Sequence, residues 1–310
     1  MNPPPTPPQS PLQRAFPVPV VALGPGSQPE DEALDVIPMP QSISTWETPI
    51  LPEPEAFAQH QDALAVLRRV REALRRAAAG EAVGPIDLDG LPPQSLALLG
   101  EVLGEGEVAV RIAGEAGGLL ASGLDAQESV YNGVWRVICP AGDGQPLRDR
   151  IEVGAVPASV LDFLRRSARS DLAAPVLPTP LPAGVVNAPA IIAEIAEQAA
   201  QPRAPGTPAH VLNLSLLPLS PEDRACIADA LGEGRVLILS RGYGNCRIRA
   251  GQWPQTWRVV YFNHNDTTIL DTVEVVDMPA AALAAPEDLV DALERLDETL
   301  EWLARDNGAA

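Results

Sequence analysis

LPPQSLALLGEVLGEGEVAV at residues 91–110 and LSPEDRACIADALGEGRVLI at residues 219–238 are two versions of one pattern, and reading them as a repeat decides the fold. The match runs on in the same order. Trp135-Arg136-Val137 answers Trp257-Arg258-Val259, Asp149 answers Asp271, Ile151-Glu152-Val153 answers Val273-Glu274-Val275, and Val156-Pro157 answers Met278-Pro279. The offset falls from 128 to 122 along the match, so copy one carries about six extra residues inside 113–134.

Each copy predicts the same succession of elements. A short apolar strand (Ile86 to Leu88; Val211 to Leu216) leads into a helix. Its start in copy two, Ser220-Pro221-Glu222-Asp223, supplies an N-cap, a first-turn proline and acidic residues for the helix dipole. Gly104 or Gly232 stops that helix, and a strand follows (Val108 to Ile112; Val236 to Leu239). A glycine-bearing loop comes next, then strands at 134–138 or 257–262 and at 147–153 or 268–276, and a final helix. In copy two that helix carries the stripe Leu289, Leu293, Leu296, Leu300 and Leu303, the spacing of core packing. The fold class expected is α+β, two tandem strand-helix-strands-helix modules with mainly antiparallel sheets, copy one over 81–170 and copy two over 210–305.

Working outward, residues 1–54 are crowded with proline and show neither helical nor alternating periodicity, which predicts a largely disordered tail. The segment GPGSQPEDEALDVIPMP, with Trp46 and LPEPE after it, suits either a solvated leader or an extended docking segment. Over 55–80, Leu64, Leu67, Val70 and Leu74 recur at three- and four-residue steps and predict one amphipathic helix ending at Gly80. Its Arg68, Arg69, Arg71, Arg75 and Arg76 read as a solvated face or, as the lesser alternative, a surface for an acidic partner. Residues 171–209 form a proline-rich linker with one helix, APAIIAEIAEQAA, where Asn187 is the expected N-cap and Pro189 sits in the first turn. The modules are therefore expected to be tethered.

Composition narrows the function. A formal charge of -19, from 41 acidic against 22 basic residues, disfavours nucleic acid and anionic membrane as partners. Cys139, Cys226 and Cys246 stand far apart without a CxxC pair, which predicts neither a zinc ribbon nor a disulfide framework and fits a reducing, cytoplasmic setting. No basic-then-apolar leader opens the chain, and no run of about 18 apolar residues occurs, so membrane insertion is not expected.

Features shared by both copies are most simply explained by the shared fold, and features of one copy are candidates for function. Trp135 and Trp257, Arg136 and Arg258, Asp149 and Asp271, and Glu152 and Glu274 are shared. Strand alternation puts Asp271 on the face of Ile269, Val273 and Val275, where a carboxylate needs a hydrogen-bond or ionic partner. Copy two alone has Ser240-Arg241-Gly242-Tyr243-Gly244-Asn245-Cys246-Arg247 directly after a strand. It has neither the P-loop and dinucleotide-loop spacings nor that of a nucleophile elbow, and is either a structural turn or a recognition loop. In the second case Arg241, Tyr243, Asn245, Cys246, Arg247 and, from the Asn263–Asp266 turn, His264 are the candidate partner-binding residues. His60, His210 and His264 are too scattered to predict a metal site, no acid/base constellation emerges, and neither a cofactor nor catalysis is expected.

The stretches HVLNLSLLPLSPEDRACIADALGEGRVLILSRGYGNCRIRA and TWRVVYFNHNDTTILDTVEVVDMP resemble the HupH/HyaF family of hydrogenase expression and formation proteins, as do GPGSQPEDE, PMP…LPEPE and Asn187-Ala188-Pro189. The resemblance implies a cytoplasmic accessory chaperone for an uptake [NiFe] hydrogenase. It would bind the immature iron–sulfur small subunit before assembly and export, alongside a thioredoxin-like companion. The competing reading is an iron–sulfur or redox carrier using Cys246, although a cluster ordinarily needs several thiolates.

Overall fold

A computed structural model describes residues 52–115, 120–141, 147–167, 180–201, 203, 206–241, 245–263 and 265–304. They belong to one compact unit, Thr48–Ala310; the other, Met1–Glu47, lies outside the described residues together with almost all of the expected tail.

The first half of the described chain runs α1 (Pro54–Ala58), α2 (Gln61–Ala78), β1 (Ile86–Asp87), α3 (Pro93–Leu103), β2 (Val108–Ile112), β3 (Leu124–Glu128), β4 (Val134–Cys139), β5 (Arg148–Val153) and α4 (Ala158–Ser167). The second runs α5 (Ala188–Ala200), β6 (His210–Asn213), α6 (Pro221–Leu231), β7 (Val236–Ser240), β8 (Asn245–Ala250), β9 (Thr256–Phe262), β10 (Thr268–Val275), a 3-10 turn at Ala280–Ala282, and α7 (Pro286–Ala304). All ten strands join one antiparallel sheet in the order β1-β5-β4-β3-β2-β7-β8-β9-β10-β6. With β1 to β5 matched to β6 to β10, the order reads the same from either edge. The seam is the β2–β7 ladder, in which Val108 faces Ser240, Val110 faces Ile238 and Ile112 faces Val236. The two halves thus share a sheet instead of merely being tethered by the linker.

Two strands were hidden by the glycine-loop reading. The register Ala109–Gln127 and Arg111–Asp125 answers Leu237–Arg249 and Leu239–Arg247, so β3 corresponds to β8 and the extra residues of the first half lie between β2 and β3. The helix expected over 55–80 is two helices, broken at Gln59 and His60.

Alternation along the strands sorts side chains into two layers. One face of the central strands packs Val110, Ile112, Leu124, Ala126, Trp135, Val137, Val236, Ile238, Ile248, Trp257 and Val259 under α4 and the 3-10 turn. On the opposite face, α2, α3 and α7 cover one flank around Leu67, Leu74, Leu99, Val134 and Ile151, while α5 and α6 cover the other around Ile195, Ile227, Val273 and Val275. α7 follows the second half in sequence but its Leu289, Ala292, Leu296 and Leu303 complete the core of the first. It comes so close to the β3–β4 hairpin that a Cβ at Gly133, whose φ is 77°, would stand 2.1 Å from Leu289 Cδ2.

In that hairpin Glu128 is buried and its Oε1 accepts the Gly133 N–H at 2.9 Å. Burial pushes its carboxyl up to about 7, outweighing that hydrogen bond. A raised carboxyl stabilises the fold below its unfolded value of 4.5, and the contribution fades as pH rises through 7. Glu128→Gln, which keeps the acceptor, should match the parent at pH about 4 and exceed it at pH about 8 by at least 1 kcal/mol in denaturant titrations.

Candidate protein-binding site

The shared tryptophans and Arg–Asp pairs have matching environments, whereas Glu152 accepts from Ser159 and pairs with Arg150 and Glu274 accepts from Thr272. The Trp135 Nε1–H donates to the Gly154 carbonyl at 2.9 Å and the Trp257 Nε1–H to the Val276 carbonyl at 3.0 Å. Arg136 grips Asp149 through Nε (3.1 Å) and Nη2 (2.6 Å), and Arg258 grips Asp271 likewise (3.1 and 3.0 Å). Both carboxylates are buried, so this forked pairing supplies the partner that their positions demand. Ile269 falls at a register shift between Thr268 and Leu270, outside the regular pairing that carries Asp271, and is 62% exposed.

Of the residues special to the second half, Arg241 follows β7 and Asn245, Cys246 and Arg247 open β8. Arg241 is exposed and its N–H donates to the Glu107 carbonyl at 3.1 Å, which ties the end of β7 to the start of β2. Asn245 opens β8 opposite Phe262, and the Arg247 guanidinium lies 5.2 Å from the centre of the Phe262 ring. Neither Arg241 nor Arg247 has a carboxylate partner among the described residues. Gly242–Gly244, Tyr243 included, and His264 lie outside the described residues.

Cys246 departs from the expectation. Its alternation with Arg247 sends it inward with Ile248 and Ala250 into the tryptophan core, where it is 5% exposed. Burial pushes the thiol up to about 11, only partly offset by a hydrogen bond to Tyr261. At neutral pH roughly one molecule in ten thousand would carry the thiolate that acts as ligand or nucleophile. The Cys246 side chain is thus packed in the core and not on the surface of the sheet. The described residues also bring together no cluster of three His, Cys, Asp or Glu suited to a metal.

Sequence reasoning missed Arg249 and Phe262 as neighbours of this site, although Cys246-Arg247-Ile248-Arg249-Ala250 alternates as a strand should. Asn187 stands at the N-cap of α5 as expected, but its side chain does not cap the helix. Its amide donates to the Pro218 carbonyl, and Asp223 of α6 receives the backbone N–H groups of Val186, Asn187 and Ala188 on one oxygen at 2.8–2.9 Å. Asp223 also closes a capping box with Ser220, the expected N-cap.

The conserved C-terminal region of the HupH hydrogenase expression protein matches this chain twice, over residues 60–174 and 185–303. The hydrogenase expression/formation protein HoxQ of Cupriavidus necator is 49% identical over 93% of this chain and 98% of its own length. HupH of Rhodobacter capsulatus is 46% identical over 92% and 98%, and the hydrogenase-1 operon protein HyaF of Escherichia coli is 32% identical over 91% and 95%. A solved structure of the hydrogenase expression protein HupH from Thiobacillus denitrificans aligns with 37% of this chain and 95% of its own, at 25% identity and a TM-score of 0.35.

Proposed function

Because the chain belongs to the HupH family of hydrogenase expression proteins, we propose that it acts in hydrogenase maturation as a non-catalytic chaperone, two copies of one module fused into one binding body. Its client in this reading is the immature iron–sulfur small subunit of an uptake [NiFe] hydrogenase, held before assembly and export, with a thioredoxin-like protein as companion. The reading places the protein in the cytoplasm. None of its described helices is long and apolar enough to cross a membrane.

The observation that carries the binding reading is the β7–β8 turn, where Arg241 and Arg247 stand without carboxylate partners among the described residues of a chain whose net charge is -19. A guanidinium that no carboxylate among the described residues engages keeps its fork available for recognition. The Pro-rich, acidic tail is proposed as a second contact. Cys246, by its burial, gives the carrier alternative no accessible thiolate.

The test is co-purification of the tagged full chain with the small subunit from cells making the hydrogenase. The parent should retain it, Arg241→Glu should lower recovery at least tenfold, and the melting temperature should stay within about 1 °C, as expected for an exposed substitution. Cys246→Ser should leave recovery unchanged. No small subunit on the parent chain would sink the proposal.

A further inference from the structure

Beyond the turn itself, the sheet has a face that no helix among the described residues covers. Opposite the tryptophan core, β2, β3, β7 and β8 present Ala109, Arg111, Asp125, Gln127, Leu237, Leu239, Arg247 and Arg249, with Val260 and Phe262 of β9 beside them. α3 packs over β4 and β5, its Gly100 against the Arg136 guanidinium, and α6 packs against β10. Between them lie four strands at about 4.8 Å spacing, a floor wide enough for one helix about 10 Å across.

The halves differ on this floor in one direction. Where the first half has Ala109, Asp125 and Gln127, the second has Leu237, Arg247 and Arg249; Arg111 alone becomes an apolar residue, Leu239. Arg111 is tied to Asp125 at 2.7 Å and Arg249 to Glu233 at 2.5 Å, which leaves Arg247 on the floor and Arg241 at its rim. The second half has thus gained half-buried leucines beside the Arg247 and Arg241 guanidinium groups, which no carboxylate among the described residues engages, planar forks that fit carboxylates two bonds at a time.

We propose that this face, centred on Leu237, Leu239 and Arg247, docks an acidic amphipathic helix of a partner polypeptide. Its apolar stripe lies on Leu237, Leu239 and Val260, and its carboxylates meet Arg247 and Arg241. The proposal rests on the chain being a protein-binding factor, and does not depend on which protein is the client.

The test uses the full chain and a labelled peptide of about 18 residues, five helical turns, in which Glu pairs alternate with Leu pairs. A second peptide has Lys for every Glu. Fluorescence anisotropy should show the Glu peptide binding at least ten times more tightly than the Lys peptide, against the pull of the chain's overall negative charge. Binding should weaken as salt rises from about 50 to 500 mM. Arg247→Glu and, separately, the exposed Arg241→Glu should each weaken the Glu peptide at least tenfold with an unchanged melting curve. Equal binding of the two peptides, or indifference to both substitutions, would overturn the assignment. Failure of the small subunit to co-purify while the Glu peptide binds as described would remove the client and leave the surface.

Discussion

Ending the chain at Ala284, just before α7, is expected to unfold the core built by the start of the described chain. Leu289, Ala292, Leu296 and Leu303 are at most 7% exposed and sit among Phe57, Leu64, Leu67, Val70, Leu74 and Val102. Each large apolar side chain withdrawn from water contributes about 1.5–3 kcal/mol, and removing the helix also exposes the stripe of α2 beneath it. The Tyr131 hydroxyl would lose Thr299 at 2.8 Å, and Arg71 would lose Asp297. Against a typical net stability of about 5–15 kcal/mol, that loss is decisive. Circular dichroism should show no cooperative melt in the truncated chain, and a dye for exposed apolar surface should bind it strongly. A truncated chain melting within a few degrees of the parent would mean that α7 is an appendage.

Asp223→Ala should cost about 2–4 kcal/mol, more than the ~2 kcal/mol upper end for a single cap, because one carboxylate serves two helices. Its Oδ1 takes three backbone N–H groups at the start of α5 and its Oδ2 takes that of Ser220 at the start of α6. Burial alone pulls this carboxyl upward, but those four donors outweigh it and hold it at about 2. The sign is that of a depressed acid: the contribution is whole above the unfolded value of 3.8 and is lost as pH falls through 2. Urea titrations from pH about 6 down to about 2 should therefore bring parent and Asp223→Ala together at the acid end. Asp223→Asn should fall between them at neutral pH, since it keeps an acceptor and loses the charge. Curves that stay parallel throughout would assign the cost to something other than the carboxylate.

The same position explains part of what the sequence concealed. At the 128-residue offset Asp223 answers Ser95, whose hydroxyl donates to Asp62 of α2 at 2.8 Å. Each half thus fastens its first helix to its second by one side-chain link with the carboxylate on opposite partners, a swap that sequence alignment reads as an unrelated substitution. Hence α2 and α5 read as a leader helix and a linker helix. The N-cap at Ser220, the stop glycines Gly104 and Gly232, and the leucine stripe of α7 were legible, because local chemistry determines each of them. Where that stripe packs was not, since periodicity names a buried face without its partner. The β2–β7 seam leaves no mark either: Val108–Ile112 and Val236–Ser240 are apolar on one face as any paired strands would be. At the candidate site, the place of Arg241 at the end of a strand was legible. The inward turn of Cys246 needed only the alternation of β8, which the neighbouring glycines outweighed in the reading.

Hydrogen–deuterium exchange on the full chain, free and with the immature small subunit, tests the binding account most directly. The account predicts new protection concentrated at residues 236–250, on β7, β8 and the turn between them. Protection confined to β1 and β5, or none anywhere, would contradict it.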